Sequence, residues 1–114
     1  MIKVGVIGTG HLGTIHLKLL NESKLYDVIG FHDKDLKKSK KLGVDYINFK
    51  DAIDLINSVD VVFICSNTTT HYEIAKICLE NNKHIFIEKP ITSTVKQAKE
   101  LVQLAKDKNL IGQV

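Results

Sequence analysis

Four short strings carry residue types that could bind or move charge: "GTGHLG" at residues 8–13, "HDK" at 32–34, "CSNTTTH" at 65–71 and "EKP" at 88–90. Gly8, Gly10 and Gly13 form a G-x-G-x-x-G. Glycines at this spacing permit a tight turn, a close approach of backbone to phosphate, and close packing of a helix on a strand. The N–H groups of such a turn, together with the positive end of the helix it opens, suit a pyrophosphate. Taken alone the string is equally a plain tight turn. Asp33 follows Gly13 by twenty residues, the interval at which a dinucleotide-binding fold places an acid against the adenosine ribose hydroxyls. An acid there repels a 2′-phosphate, which favours NAD over NADP, while Lys34 and Lys38 offset part of that repulsion. A simple cap before the helix expected at Asp35 is the other reading of Asp33.

In the third string Ser66, Asn67 and Thr68 offer short polar groups for the middle of a bound dinucleotide. Thr69 and Thr70 read better as capping hydroxyls, and His71 reads as a first-turn helix residue with a hydrogen bond before it reads as a base. The fourth string holds the only proline of the chain, Pro90. Proline fixes its own φ and restricts the residue before it, so the direction of Lys89 would be set by covalent geometry. That is a rigid way to aim an ammonium at a ligand. Proline after a strand also simply starts turns, which leaves a surface lysine as the other reading.

These strings need elements to hold them, and the sequence alternates β-branched runs with helical patterns, the mark of a parallel sheet covered by helices. Strands are predicted at Ile2–Ile7, Val28–His32, Asp60–Cys65 and His84–Ile87, with a last one from Leu110 and a weak one at Asp45–Ile47. Runs such as "VVFIC" are apolar on both faces, as burial on both sides of a sheet requires. Helices are predicted at His11–Glu22, Tyr72–Asn81 and Val95–Lys106, with shorter ones at Asp35–Leu42, stopped by Gly43, and Lys50–Asn57. Thr70 and Ser93 or Thr94 are the expected N-caps. All four strings then lie at or just after the carboxyl end of a strand, where open α/β sheets bind ligands.

The length of 114 residues fits one domain over 1–114, short for an enzyme whose site lies between two domains. The net charge of +3 comes from sixteen lysines and no arginine, interleaved with thirteen acids. Such scatter, with few aromatics, argues against a nucleic-acid reader, and "KKSKK" at 37–41 reads as a solvated helix face. No apolar run approaches the roughly 18 residues of a membrane span, and a first strand at Ile2 leaves no room for a leader, so the cytoplasm is expected. Cys65 and Cys78 stand 13 apart, a spacing that fits no zinc or redox pair. Buried free thiols are expected, and no metal site.

The order and spacing of "GTGHLGTIH", "FHDKD", "NTTTHYEIAKICLENNKHIFIEKPIT" and a closing "LIGQV" resemble the Gfo/Idh/MocA family of oxidoreductases, over the N-terminal nucleotide-binding domain. The resemblance implies an α/β Rossmann-type doubly wound fold, with a mainly parallel sheet of about six strands and helices on both faces. It implies hydride transfer between a nicotinamide cofactor and a hydroxyl-bearing carbon of a sugar, cyclitol or sugar nucleotide. The cofactor residues read from the strings and the resemblance are Gly8, Thr9, Gly10, His11, Leu12, Gly13, Asp33, Lys34, Lys38, Ser66, Asn67, Thr68, His71, Glu88 and Lys89. Lys89 matches the family lysine that touches the nicotinamide ribose and the reacting hydroxyl, and is the one catalytic candidate. A cis Lys89–Pro90 peptide is also implied.

Three departures stand out. Asn67 replaces a frequent proline, and Lys38 replaces an arginine that stacks on adenine. The sequence also stops at Val114, before the second domain that supplies the family's substrate pocket, acid-base groups and oligomer contacts. An ordinary lysine is a poor general base at neutral pH. The expectation is therefore a cofactor-binding domain, largely inactive by itself, of a homo-oligomeric dehydrogenase. The alternative is a stand-alone NAD(H)-binding or sensing module without catalysis.

Overall fold

The computed structural model describes residues 1–35, 37 and 46–114. Lys38, Gly43 and most of the helix expected at 35–42 lie outside those residues. The elements run β1 (Ile2–Ile7), α1 (His11–Glu22), β2 (Tyr26–His32), α2 (Ala52–Asn57), β3 (Val61–Ile64), α3 (Thr68–Glu80), β4 (His84–Ile87), α4 (Val95–Asp107) and β5 (Gly112–Gln113). The five strands form one sheet in the order β2-β1-β3-β4-β5, and every pairing is parallel.

Alternation along the strands sorts two cores. Val4 and Val6 of β1 and Phe31 of β2 face α1, where Leu17 and Leu20 close over them. Ile7, Val62, Ile64, Ile85 and Ile87 face the other way, against Leu55 and Ile56 of α2, Ala75, Cys78 and Leu79 of α3, and Leu101 of α4. Because parallel crossovers are right-handed, stepping from β1 to β2 and from β3 to β4 in opposite directions puts the connecting helices on opposite faces. The direction reverses between β1 and β3. That is the position at which an open α/β sheet leaves a crevice at its carboxyl edge.

A sixth strand does not form among the described residues. In its place Asn48 makes a single parallel bridge with Phe31, whose N–H donates to the Ile47 carbonyl and whose carbonyl accepts from the Phe49 N–H. Asn48 and Lys50 are poor strand formers, and Asp51 already takes the N-cap position of α2, so the run ends after one residue. The start of α3 also moves. Helix α3 starts at Thr68 with Asn67 as N-cap, so Thr70 is inside the helix and not its cap, whereas Thr94 caps α4 by accepting from the Gln97 N–H at 3.2 Å. Among the described residues no helix is long and apolar enough to cross a membrane.

Candidate dinucleotide site

The turn after β1 is tied to its surroundings at each glycine. Gly8 has φ +91°, and a Cβ there would stand 2.4 Å from the Ser66 backbone nitrogen. Its own N–H donates to the His32 carbonyl at 2.9 Å, joining the ends of β1 and β2. Gly10 is the N-cap of α1, extended and without a side-chain cap, and no acid occupies the first turn. The first N–H groups of the helix therefore lack a carboxylate of their own. At Gly13 a Cβ would lie 1.8 Å from the Gly8 carbonyl oxygen, so the helix packs directly on the turn it leaves.

Asp33, just past β2, closes this arrangement. Its Oδ2 accepts from the Thr9 N–H at 2.7 Å and from the Thr9 hydroxyl at 2.8 Å, and its Oδ1 accepts from the Asp35 N–H at 2.8 Å. Thr9 is buried, and its side chain serves Asp33. The acid is thus both beside the turn and bonded to its backbone.

A cleft of about 280 Å³ opens at the carboxyl ends of β1, β2 and β3. Of the residues expected at the site, Gly8, Gly10, Asp33, Lys34, Ser66 and Asn67 line it. Thr9, His11, Leu12, Gly13, Thr68, His71, Glu88 and Lys89 do not: Thr9 and Gly13 support the turn, His11 and Leu12 are exposed on the first turn of α1, and Thr68 opens α3. Ala52, Thr70, Glu73 and Ile74 line the cleft without having been expected there. The helical pattern on α3 signals that Ile74 and its neighbours face inward. Which end of the sheet they reach depends on where the helix starts, which is Thr68 and not Tyr72. Thr70 donates to the Asn67 carbonyl at 2.7 Å, so at the Ser66–Thr70 contact, also 2.7 Å, the Ser66 hydroxyl is the donor.

The loop after β4 sits one strand further along. Lys89 is exposed there, and the Lys89–Pro90 peptide is cis. Glu88 pairs with His16 of α1, Oε1 to Nε2 at 2.7 Å. His71 is buried in the first turn of α3 between two loops. Its Nδ1 is 3.1 Å from the Pro90 carbonyl oxygen and 3.2 Å from that of Ile91, and its Nε2 is 2.8 Å from that of Ser66. Both ring nitrogens face backbone carbonyl oxygens, and the ring does not line the cleft. His16 was not singled out in the sequence; a polar residue three places after Gly13, on the flank of an apolar helix face, was its only signal.

Both cysteines are free. Burial, with the Glu88 charge adding to it, pushes the Cys65 thiol up to about 12, and burial pushes Cys78 up to about 12 as well, partly offset by a backbone hydrogen bond and Lys83. The thiolate is the reactive species. Iodoacetamide at pH 8 is therefore expected to leave both unmodified over the time in which it labels them fully in denaturant, as read by intact mass. Among the described residues no cluster of His, Cys, Asp or Glu could hold a metal ion.

Residues 2–114 match the family described as "Oxidoreductase family, NAD-binding Rossmann fold". The chain belongs to the Gfo/Idh/MocA oxidoreductase family. It is 35% identical to a myo-inositol 2-dehydrogenase of Thermotoga maritima, over 96% of this chain and 34% of that protein. To a UDP-N-acetylglucosamine 3-dehydrogenase of Acidithiobacillus ferrooxidans it is 28% identical, over 96% and 35%. Among solved structures, a dehydrogenase of Clostridium difficile superposes with a TM-score of 0.90 at 35% identity, covering 97% of this chain and 38% of that one. Biliverdin reductase of Synechocystis, solved with biliverdin and NADP+, gives 0.94 at 25% identity over 99% and 37%. The chain thus spans about a third of the length of these relatives.

Proposed function

We propose that this domain holds NAD(H) for a dehydrogenase acting on a hydroxyl-bearing carbon of a sugar, cyclitol or sugar nucleotide. The observation that carries the reading is the convergence of Gly8, Gly10, Asp33, Ser66 and Asn67 on one cleft at the reversal point of the sheet. The donor set fits the cofactor: Gly8 lets backbone approach closely, and the uncapped start of α1 faces the same cleft with its N–H groups. At about 280 Å³ the cleft is near the small end of ligand sites, roughly 300 Å³. That suits the adenosine and pyrophosphate half, with the nicotinamide half continuing over Ser66–Thr68 toward Lys89.

Nicotinamide, when bound, supplies or accepts the hydride. The residues here do the rest of the binding work. The turn at Gly8–Gly13 holds the pyrophosphate and Asp33 accepts from the adenosine ribose hydroxyls, which favours NAD over NADP, with Lys34 beside it. Lys89 contacts the nicotinamide ribose and orients the substrate hydroxyl. The inositol and sugar-nucleotide dehydrogenases among the relatives support the substrate class. A second reading is a dinucleotide-binding module without catalysis, in which the same cleft holds NAD(H) and nothing reacts.

Titration of the chain with NADH, followed by nicotinamide fluorescence, tests the reading. Saturation at one equivalent is expected, and a linear response across the range would reject the cofactor assignment.

A further inference from the structure

The loop that carries Lys89 is held from both faces of the sheet. On the α1 face the His16 ring stands edge-on to Phe63 and Phe86, with centroids 5.4 and 5.2 Å away, and those two rings stack on each other at 4.7 Å. So wedged, His16 reaches Glu88 at 2.7 Å, both side chains being about one-fifth exposed (20% and 18%). On the opposite face His71 holds the carbonyls of Pro90 and Ile91. Lys89 is the residue between these anchors. Its own long side chain has four rotatable bonds and is exposed, so only the backbone on either side can aim it.

We propose that His16 is a positioning residue for Lys89: by clamping Glu88 to α1, against the far side held by His71, it sets the direction in which the Lys89 ammonium leaves the sheet. The proposal rests on the reading that Lys89 meets the cofactor ribose. The clamp also occupies the Glu88 carboxylate, the nearest acid in sequence to Lys89, and keeps it from drawing the ammonium back. It joins the helix of the glycine turn to the β4 loop across 72 residues of sequence. The two ends of the dinucleotide site are thereby mechanically linked.

Two measurements on this chain decide it. In hydrogen exchange, His16→Ala is expected to speed the Glu88 amide, which donates to the Ile64 carbonyl at 2.9 Å, by about tenfold, the scale of one lost hydrogen bond to a charged group. His16→Gln, which keeps a donor near the Nε2 position, restores it, and Glu88→Ala removes the acceptor of the same hydrogen bond should His16→Ala fail to fold. Faster exchange confined to this loop supports the clamp; unchanged rates, or acceleration spread over the whole sheet, overturn it.

The second measurement is a double-mutant cycle on NADH affinity. His16→Ala weakens NADH in the native background and has no further effect on Lys89→Ala, whereas an equal loss in both backgrounds overturns the proposal. If Lys89→Ala by itself leaves NADH affinity unchanged, the assigned role of Lys89 fails, and the exchange result still decides the clamp.

Discussion

Gly13→Ala is expected to lower the melting temperature by on the order of 15 °C and to abolish saturable NADH binding. The added Cβ would fall 1.8 Å from the Gly8 carbonyl oxygen, a backbone atom with no rotamer to escape into. Relief requires sliding α1 off the turn or opening the turn itself. Overpacking of this kind costs about 3 kcal/mol, which in a domain of this size corresponds to a shift of that order. Either route also moves Gly10 and the first N–H groups of α1 away from the cleft. The control is Gly112→Ala in β5, where a Cβ would meet Ile85 only at an ordinary 3.7 Å. Scanning calorimetry and NADH titration on both variants check the result: Gly112→Ala stays near the parent on both measures.

Asp33 should separate into two functions when Asn and Ala variants are compared. Asp33→Ala removes the acceptor from the Thr9 N–H, the Thr9 hydroxyl and the Asp35 N–H together. Thr9 is buried, and a buried donor left without a partner costs about 1–3 kcal/mol. This variant is expected to lose stability as well as affinity for both NADH and NADPH. Asp33→Asn keeps a carbonyl oxygen for Thr9 and removes the charge that repels a 2′-phosphate. Its stability falls less, and the preference for NADH over NADPH drops by about tenfold, equivalent to about 1.4 kcal/mol. Parallel titrations with the two cofactors and one denaturation curve per variant measure both effects. An unchanged preference in Asp33→Asn would remove the electrostatic basis for favouring NAD.

What could be read from the sequence was what is local. β1, α1 and β4 fall where the apolar runs and helical spacing put them, because each pattern is self-contained. Helix α3 begins four residues before the expected Tyr72. "NTTT" looks like loop, since threonine is an indifferent helix former; here Asn67 takes the cap position and the Thr70 hydroxyl returns to its carbonyl, which brings the threonines into the first turn. The glycine turn and Asp33 were legible as separate signals. Their bond, between Thr9 and Asp33 and 24 residues apart, was not, because side-chain pairing across a crossover leaves no trace in either string. The same holds for His16 and Glu88. Patterns name the surfaces that meet, and the partners on those surfaces follow only from the register of the sheet.

Three glycines in six residues describe, on paper, one of the most pliable stretches of the chain. Bonded through Gly8 to His32 and through Thr9 to Asp33, with Gly13 packed against the turn's own carbonyl, that stretch is braced on several sides in the folded protein. Its shape is settled when the chain folds and not when a ligand arrives. Affinity for a phosphate is then undiminished by the entropy of ordering a loop.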